Sequence, residues 1–254
     1  MRNKAESPLF ETCLRLGDTA LILGQRLAEW SSKAPNVELD IALSNQALDL
    51  IGQARLFLDY AGRVEGKGRD EDALAYHRLD HEFRNFMIAE LPNGDFAHTM
   101  VRQLFFGTFA HLLFEDMRKS SDAEFAAIAA KAEKEMAYHA RHSGEWTVRL
   151  GDGTEESHER AQAAVNALWP YVHELFTVDA VDQEMIDAGV LPDAGVLKAS
   201  WQADIEAVLA RATLSVPEDD WQPEGGKSGR HTEHLSYLLA EMQVLPRAYP
   251  DAKW

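Results

Sequence analysis

The stretch that decides the fold class is SDAEFAAIAAKAEKEMAYHARHSGEWTVRLGDG, residues 121–153. Apolar or small residues and one histidine recur in it at alternating steps of four and three, at Phe125, Ala129, Ala132, Met136, His139, Ser143, Trp146 and Leu150. That spacing places them all on one face of an α-helix. Ser121 followed by Glu124 predicts a capping box at its start, and Gly151 to Gly153 predict its end.

The same periodicity recurs outward from this stretch and predicts a chain made of helices. We expect them over residues 16–30, 36–62, 72–91, 96–118, 121–150, 154–175, 179–189, 197–212 and 235–245. No hairpin turn lies between alternating apolar runs, so no strand is predicted. The long helices and short loops favour a single all-α domain over residues 1–254, a long-helix bundle with additional C-terminal helices. The polar segment 215–230 is expected to be a loop before the last helix.

The charge of the chain excludes several classes of protein. Of its 254 residues, 25 are Lys or Arg and 42 are Asp or Glu, which gives a formal net charge of −17. Such a surface does not suit nucleic acid or an anionic membrane, because both carry dense negative charge. Cys13 has no second cysteine with which to form a disulfide, and no apolar run of spanning length or signal segment is recognisable. We therefore expect a cytoplasmic protein.

Bundles of long helices often hold a carboxylate-bridged di-iron site, whose ligands point inward. That site needs Glu on two helices and Glu-x-x-His on two others. The predicted inward positions instead hold Ala20, Leu50, Gln53, Gly107 and Met136, and His139 is the remaining imidazole. A methionine thioether is soft and neutral and does not replace a carboxylate on iron. The sequence therefore predicts no metal site, cofactor site or catalytic residue in this chain.

Two other interpretations stay open. His139, His142 and Glu135 are close enough in sequence to form an atypical ligand set, which would make the chain a metal-binding oxidase built on a helix bundle. The helices over 37–62 and 96–118 are apolar beyond a single face, which is typical of a central helix or of subunit contact. A free-standing homodimer is therefore a further hypothesis.

The last predicted helix opens with His231, Thr232, Glu233 and His234 after a Gly-rich stretch. This arrangement is typical of a plain helix start, with Thr232 near the cap. The two histidines could also bind a metal. Alternatively, this helix start could hold an anionic group of a partner, because helix N-termini accept anionic groups. His231, Glu233 and His234 are our candidates for a partner contact.

Several short motifs resemble one known family nearly end to end. They are Leu16-Gly17-Asp18, Arg26-Leu27-Ala28-Glu29-Trp30, Leu48-Asp49-Leu50-Ile51-Gly52-Gln53-Ala54-Arg55, Pro92-Asn93-Gly94-Asp95-Phe96-Ala97, Gly229-Arg230-His231-Thr232-Glu233-His234-Leu235 and Leu239-Ala240-Glu241-Met242-Gln243. With these motifs the chain resembles the structural C subunits of bacterial phenylacetyl-CoA epoxidases, which are multicomponent oxygenases of aerobic phenylacetate breakdown.

The resemblance implies a ferritin-like fold and a role in a complex. In that family a related catalytic A subunit carries the di-iron site. Its Glu-x-x-Gly-His region corresponds to Leu50 through Gln53, and its Lys-Glu-Glu-x-x-His region corresponds to Lys134 through His139, with Met136 in a ligand position. A separate reductase component uses NADPH. The resemblance thus implies a structural subunit without activity alone, a homodimer by itself and a hetero-oligomer with the A subunit.

Overall fold

The computed structural model describes residues 7–218, 221–250 and 252, and every regular element in them is a helix. The α-helices are α1 (Pro8–Ala28), α2 (Val37–Glu65), α3 (Glu71–Tyr76), α4 (Met87–Glu90), α5 (Phe96–Met117), α6 (Ala123–Gly151), α7 (Glu155–Leu168), α8 (Ala180–Asp187), α9 (Ala194–Arg211) and α10 (Glu233–Ala248). Three 3₁₀ helices cover Asp80–Glu82, Trp169–Phe176 and Gly226–Ser228. None of the described helices has both the length and the apolar character that crossing a membrane requires.

The contacts within the chain divide it into two compact units. Unit 1 comprises residues 1–30, 43–92 and 224–254, so it contains α1, most of α2, α3, α4 and α10. Unit 2 comprises residues 31–42 and 93–223, and it contains the start of α2 and all of α5 to α9.

In unit 1, α1 packs closely on α2 because α1 carries glycine at two contact positions. A Cβ at Gly24 would lie 3.3 Å from both the carbonyl oxygen of Ala47 and the Cβ of Leu50. A Cβ at Gly17 would lie 2.9 Å from the side chain of Leu58. The side chains of α2 therefore fill the space beside α1 directly.

In unit 2, α5 is the central helix, and its residues from Thr99 to Ala110 are all buried. It approaches α6 at Gly107, where a Cβ would lie 3.2 Å from the backbone nitrogen of Ala140. On another side, α9 is joined to α5 by a hydrogen bond of 2.8 Å from the Trp201 indole nitrogen to the carbonyl oxygen of Phe105. A helix apolar beyond one face was expected to be central or to meet a subunit, and α5 is central.

The predicted stripe of α6 is correct in its first five turns and shifts by one residue afterwards. The stripe positions from Phe125 to Ser143 are buried as expected. Beyond them, Thr147 and Gly151 are buried, whereas Trp146 and Leu150 were predicted. Alternating steps of four and three average 3.5 residues per turn, whereas a straight helix has 3.6, so the buried face drifts by about 20° every seven residues. The predicted cap was also wrong by one residue, because Asp122 accepts from the Glu124 and Phe125 amides.

The helix predicted over residues 72–91 was wrong. The segment holds α3, a 3₁₀ turn and α4, and the carbonyls at the ends of such short helices need other partners. The buried Arg78 bonds two of them, since its guanidinium donates to the carbonyl oxygens of Leu74 at 2.6 Å and Glu82 at 2.9 Å. Periodicity cannot reveal a break that one buried side chain stabilises.

Proline had different effects at its predicted helix boundaries. At Pro170 the regular helix gives way to the 3₁₀ turn Trp169–Phe176, as the expected kink implies. At the C-terminal end, α10 continues through Pro246 to Ala248, so the predicted stop was wrong. Asn36 caps α2 as expected, because its Oδ1 accepts from the Leu39 amide at 2.9 Å.

A matched pair of glycine substitutions tests the close contact between α5 and α6. We expect Gly107→Ala to lower the free energy of unfolding by about 1–3 kcal/mol, since the neighbouring backbone of α6 cannot yield as a side chain would. Gly144→Ala is the control, because its Cβ would meet only side chains at 3.6 Å or more. It should stabilise the chain by up to about 1 kcal/mol through helix propensity. Urea denaturation measures both, and equal effects would contradict this packing.

Candidate functional site

The sequence-predicted ligand positions of unit 1 lie in its apolar core. Ala20, Leu50 and Gln53 are all buried. Leu50 packs against Gly24 of α1, so an apolar side chain lies at a position where the di-iron pattern has a ligand. Among these three positions the polar group is the neutral amide of Gln53, which is a weak ligand for a hard metal ion.

The ligand positions of unit 2 are filled in a different way. Gly107 lies against the backbone of α6, Met136 is buried, and His139 is buried beside it on the same helix. A glutamate at position 107 would have to displace α6, because its Cβ would already touch the Ala140 backbone. These three positions therefore present one imidazole and no carboxylate.

The atypical ligand set His139, His142 and Glu135 does not come together. Glu135 forms an ion pair with Lys131 at 3.4 Å. Burial lowers the pKa of His142 from its ordinary value, and the neighbouring His139 lowers it further. Within residues 7–218, 221–250 and 252, no group of three His, Cys, Asp or Glu side chains is placed to hold a metal ion.

A buried polar centre lies elsewhere in unit 1, at Asp18 of α1. Its carboxylate binds the guanidinium of Arg78 through two hydrogen bonds, one of 2.9 Å from Nη1, and also accepts from the Arg84 amide at 2.9 Å. Both side chains of the ion pair are almost fully buried. The guanidinium also lies over the ring of Phe83, 4.3 Å from its centroid. Asp18 thus fixes the irregular chain after α3.

A second buried centre forms around Glu90, whose side chain is fully buried. One carboxylate oxygen accepts from the Thr232 amide at 2.6 Å, and the other accepts from Asn85 Nδ2 at 2.8 Å. The second oxygen also lies 2.8 Å from Nδ1 of His231. The Glu90 carbonyl accepts from Arg26 Nε at 3.1 Å. Glu90 therefore connects α1, α4 and the start of α10.

The surroundings of His231 determine where its protons lie. Nε2 lies 3.0 Å from the carbonyl oxygen of Phe83, which only accepts, so Nε2 carries a proton. Nδ1 faces a carboxylate, and this contact also requires a proton between the two atoms. Burial by itself lowers the pKa of His231, but the hydrogen bond and charge of Glu90 outweigh it, and the pKa lies above its ordinary value. These contacts and the raised pKa favour a protonated His231 beside the carboxylate of Glu90.

The residues expected to contact a partner are therefore not equivalent. His231 has a side chain only 5% exposed and is bonded within the chain. Glu233 is exposed and His234 is half-buried at the start of α10. Thr232 stands at the N-cap without a side-chain capping bond. The preceding polar segment is partly packed, since Gly225 to Lys227 are buried.

Comparison with known proteins identifies the family of the chain. The sequence matches the phenylacetic acid catabolic protein family over residues 1–254. The chain belongs to that family. It is also 47% identical over 241 residues to a protein of Escherichia coli strain K12 that is named as the C subunit of 1,2-phenylacetyl-CoA epoxidase. That alignment covers 95% of this chain and 97% of the relative.

Membership of the phenylacetic acid catabolic protein family confirms the expected fold class, all-α and ferritin-like. The motifs that first suggested this family contain one member of each buried polar contact described above: Asp18, Arg26 and His231. Their partners Arg78 and Glu90 were missed, because both lie in the segment wrongly predicted as one polar helix. No local signal in the sequence marks them, since the pairs are separated by at least 60 positions along the chain.

The pair of His231 and Glu90 predicts a specific pH dependence of stability. A histidine whose folded-state pKa is raised stabilises the fold fully below its unfolded value of 6.5. That contribution is lost as the pH rises through the folded-state value. We expect His231→Asn to cost about 3 kcal/mol of unfolding free energy at pH 6, and less at alkaline pH.

The measurement is urea denaturation of both proteins between pH 6 and pH 9. His81→Asn is the matched control, because the side chain of His81 is 68% exposed. The difference in unfolding free energy between wild type and His81→Asn should stay small and should not change with pH. If the difference in unfolding free energy between wild type and His231→Asn is equally independent of pH, the assignment of an imidazolium is contradicted.

Proposed function

We propose that this chain is a non-catalytic structural subunit of a di-iron oxygenase complex that epoxidises the ring of phenylacetyl-CoA. It would bind and stabilise the catalytic A subunit in aerobic phenylacetate catabolism. The observation that carries the proposal is the filling of the ligand positions, with Leu50 against Gly24 and Gly107 against the backbone of α6. The relative named as the C subunit of a phenylacetyl-CoA epoxidase supports the choice of complex.

Physical reasons favour such a division between two subunits. A di-iron centre needs several buried carboxylates, each of which costs several kcal/mol unless it is paired with metal or a cation. This chain has apolar Leu50 and Met136 at two of those positions and keeps their packing energy. The core of the catalytic partner would be polar and would have to admit substrate. Contact with a neighbour whose core is closed would stabilise it.

The charge of the chain limits what it contributes to substrate binding. A net charge of −17 repels the phosphates of coenzyme A, so the partner would supply most of the cationic contacts. The di-iron centre would also lie in the partner, and NADPH would be used by a separate reductase component. We propose a cytoplasmic location, since the single Cys13 requires no oxidising compartment.

Two alternatives keep some support. His139 and His142 lie one turn apart on α6, which favours a metal-binding oxidase, although Glu135, the carboxylate of that set, forms an ion pair with Lys131. Val37, Ile41 and Leu48 are exposed apolar residues on α2. They favour contact with another subunit, either a second copy of the chain or the A subunit.

Metal content distinguishes the structural subunit from the oxidase. We expect the chain, expressed alone in iron-rich medium, to contain far less than one iron per molecule by plasma mass spectrometry. His139→Ala should leave that content unchanged and lower only the unfolding free energy, as a cavity in a packed core does. About two irons per chain, which His139→Ala removes, would contradict the proposal and support the oxidase.

Association with the A subunit tests the structural role directly. We expect the two purified proteins to elute together in size-exclusion chromatography, and this chain to raise the thermal midpoint of the A subunit. Glu233→Ala with His234→Ala should weaken the affinity about fivefold, a typical loss for contacts at the rim of an interface. Asp204→Ala on α9 is the control for the loss of one negative charge. Separate elution of the wild-type proteins would refute the structural role.

A further inference from the structure

An open groove of about 580 Å³ lies in unit 1 between α3 and α10. Its volume falls within the range of about 300–1,000 Å³ that is usual for ligand-binding clefts. The residues that matter here are Asp72 and Tyr76 of α3, Glu241, Met242 and Leu245 of α10, and Tyr249 just after α10. The groove uses none of the ligand positions or buried polar centres described above.

The groove has an excess of negative charge. Asp72 and Glu241 line it together with Asp70, the capping residue of α3. Burial raises the pKa of Asp72 above its ordinary value, and the carboxylates of Glu71 and Asp70 raise it further. The described residues that line the groove thus include three acidic side chains and one histidine, His77. Arg55 lowers the pKa of Asp72, so it offsets part of this negative charge.

The neighbouring arginines are committed to other groups. Arg55 bonds the carboxylate of Glu71 at 3.0 Å. Arg247 donates to the carbonyl oxygens of Tyr76 at 3.2 Å and Arg78 at 2.9 Å, and it does not line the groove. Among the residues that the structure describes, no arginine lines the groove, so a cation from outside the chain would meet the carboxylates of Asp72 and Glu241 there.

The same groove has an exposed apolar side. Leu245 is 52% exposed and Tyr249 is 61% exposed. Val244 and Tyr237 extend this apolar surface along α10, where they are 56% and 72% exposed. Exposed apolar side chains that lie together beside a cleft mark a surface for association.

We propose that this groove docks a short basic, amphipathic segment of a partner protein. Its Lys or Arg side chains would meet Asp72 and Glu241, and its apolar side chains would cover Leu245 and Tyr249. A second copy of the chain is a poor occupant, because it also carries a net charge of −17. The inference goes beyond the proposed function, since it does not require the occupant to be the A subunit.

The test measures fluorescence anisotropy of a labelled peptide, KLLKLLK, titrated with the full chain at 150 mM salt. Two further peptides separate the contributions: KGSKGSK keeps the charge without apolar groups, and ELLELLE reverses the charge. We expect KLLKLLK to bind most tightly. Glu241→Lys should weaken it about tenfold and Leu245→Ser about fivefold, because one removes the charge partner and the other the apolar contact. Asp204→Lys on α9 is the control and should match wild type.

Light scattering of wild type and Leu245→Ser, with circular dichroism to confirm folding, completes the test. Unchanged mass in Leu245→Ser together with the peptide ranking above supports the proposal. Equal binding of KGSKGSK and KLLKLLK would overturn it, since general electrostatic attraction would then suffice. Wild-type affinity in Glu241→Lys would also overturn it. A dimer that becomes a monomer in Leu245→Ser would assign the groove to self-association instead.

Discussion

The irregular part of unit 1 depends on two buried carboxylates, Asp18 and Glu90. A chain that leaves helical geometry exposes amide and carbonyl groups, and inside a protein each of them needs a partner. Asp18 meets this need indirectly by fixing Arg78, whose guanidinium binds the carbonyls of Leu74 and Glu82. Glu90 meets it by accepting from Thr232 and Asn85 and by holding His231 as a cation. Removal of Asp18 would leave the buried guanidinium of Arg78 without its counter-charge, and removal of Glu90 would leave His231 without the carboxylate that raises its pKa.

These two centres also explain why the motifs of the family include polar residues far apart in sequence. Asp18 and Arg26 both lie on α1, and each reaches residues between α3 and α5. His231 reaches the same segment from just before α10. This ferritin-like protein has no carboxylate at the positions of Leu50 and Met136. Its buried charged side chains instead form contacts that stabilise the fold.

The helices that hold the predicted ligand positions pack closely against their neighbours. Glycines on α1 and α5 bring neighbouring helices close, so backbone or apolar side chains occupy the ligand positions. The surface carries the excess of acidic residues. It also has exposed apolar groups on α2 and α10. A closed core with such a surface suits a protein that acts by association.

The sequence by itself determined the fold class and predicted which inward positions lack a carboxylate. Helical periodicity is local, so α6 and its buried face could be read from residues 125–143, and Met136 could be recognised as an unsuitable ligand. Tertiary structure decided the rest: where the 72–91 segment breaks, why His231 is internal, and how Gly107 excludes a side chain. Each of these depends on a contact between residues far apart along the chain. The local sequence pattern does not predict such contacts, because they form only when the helices pack.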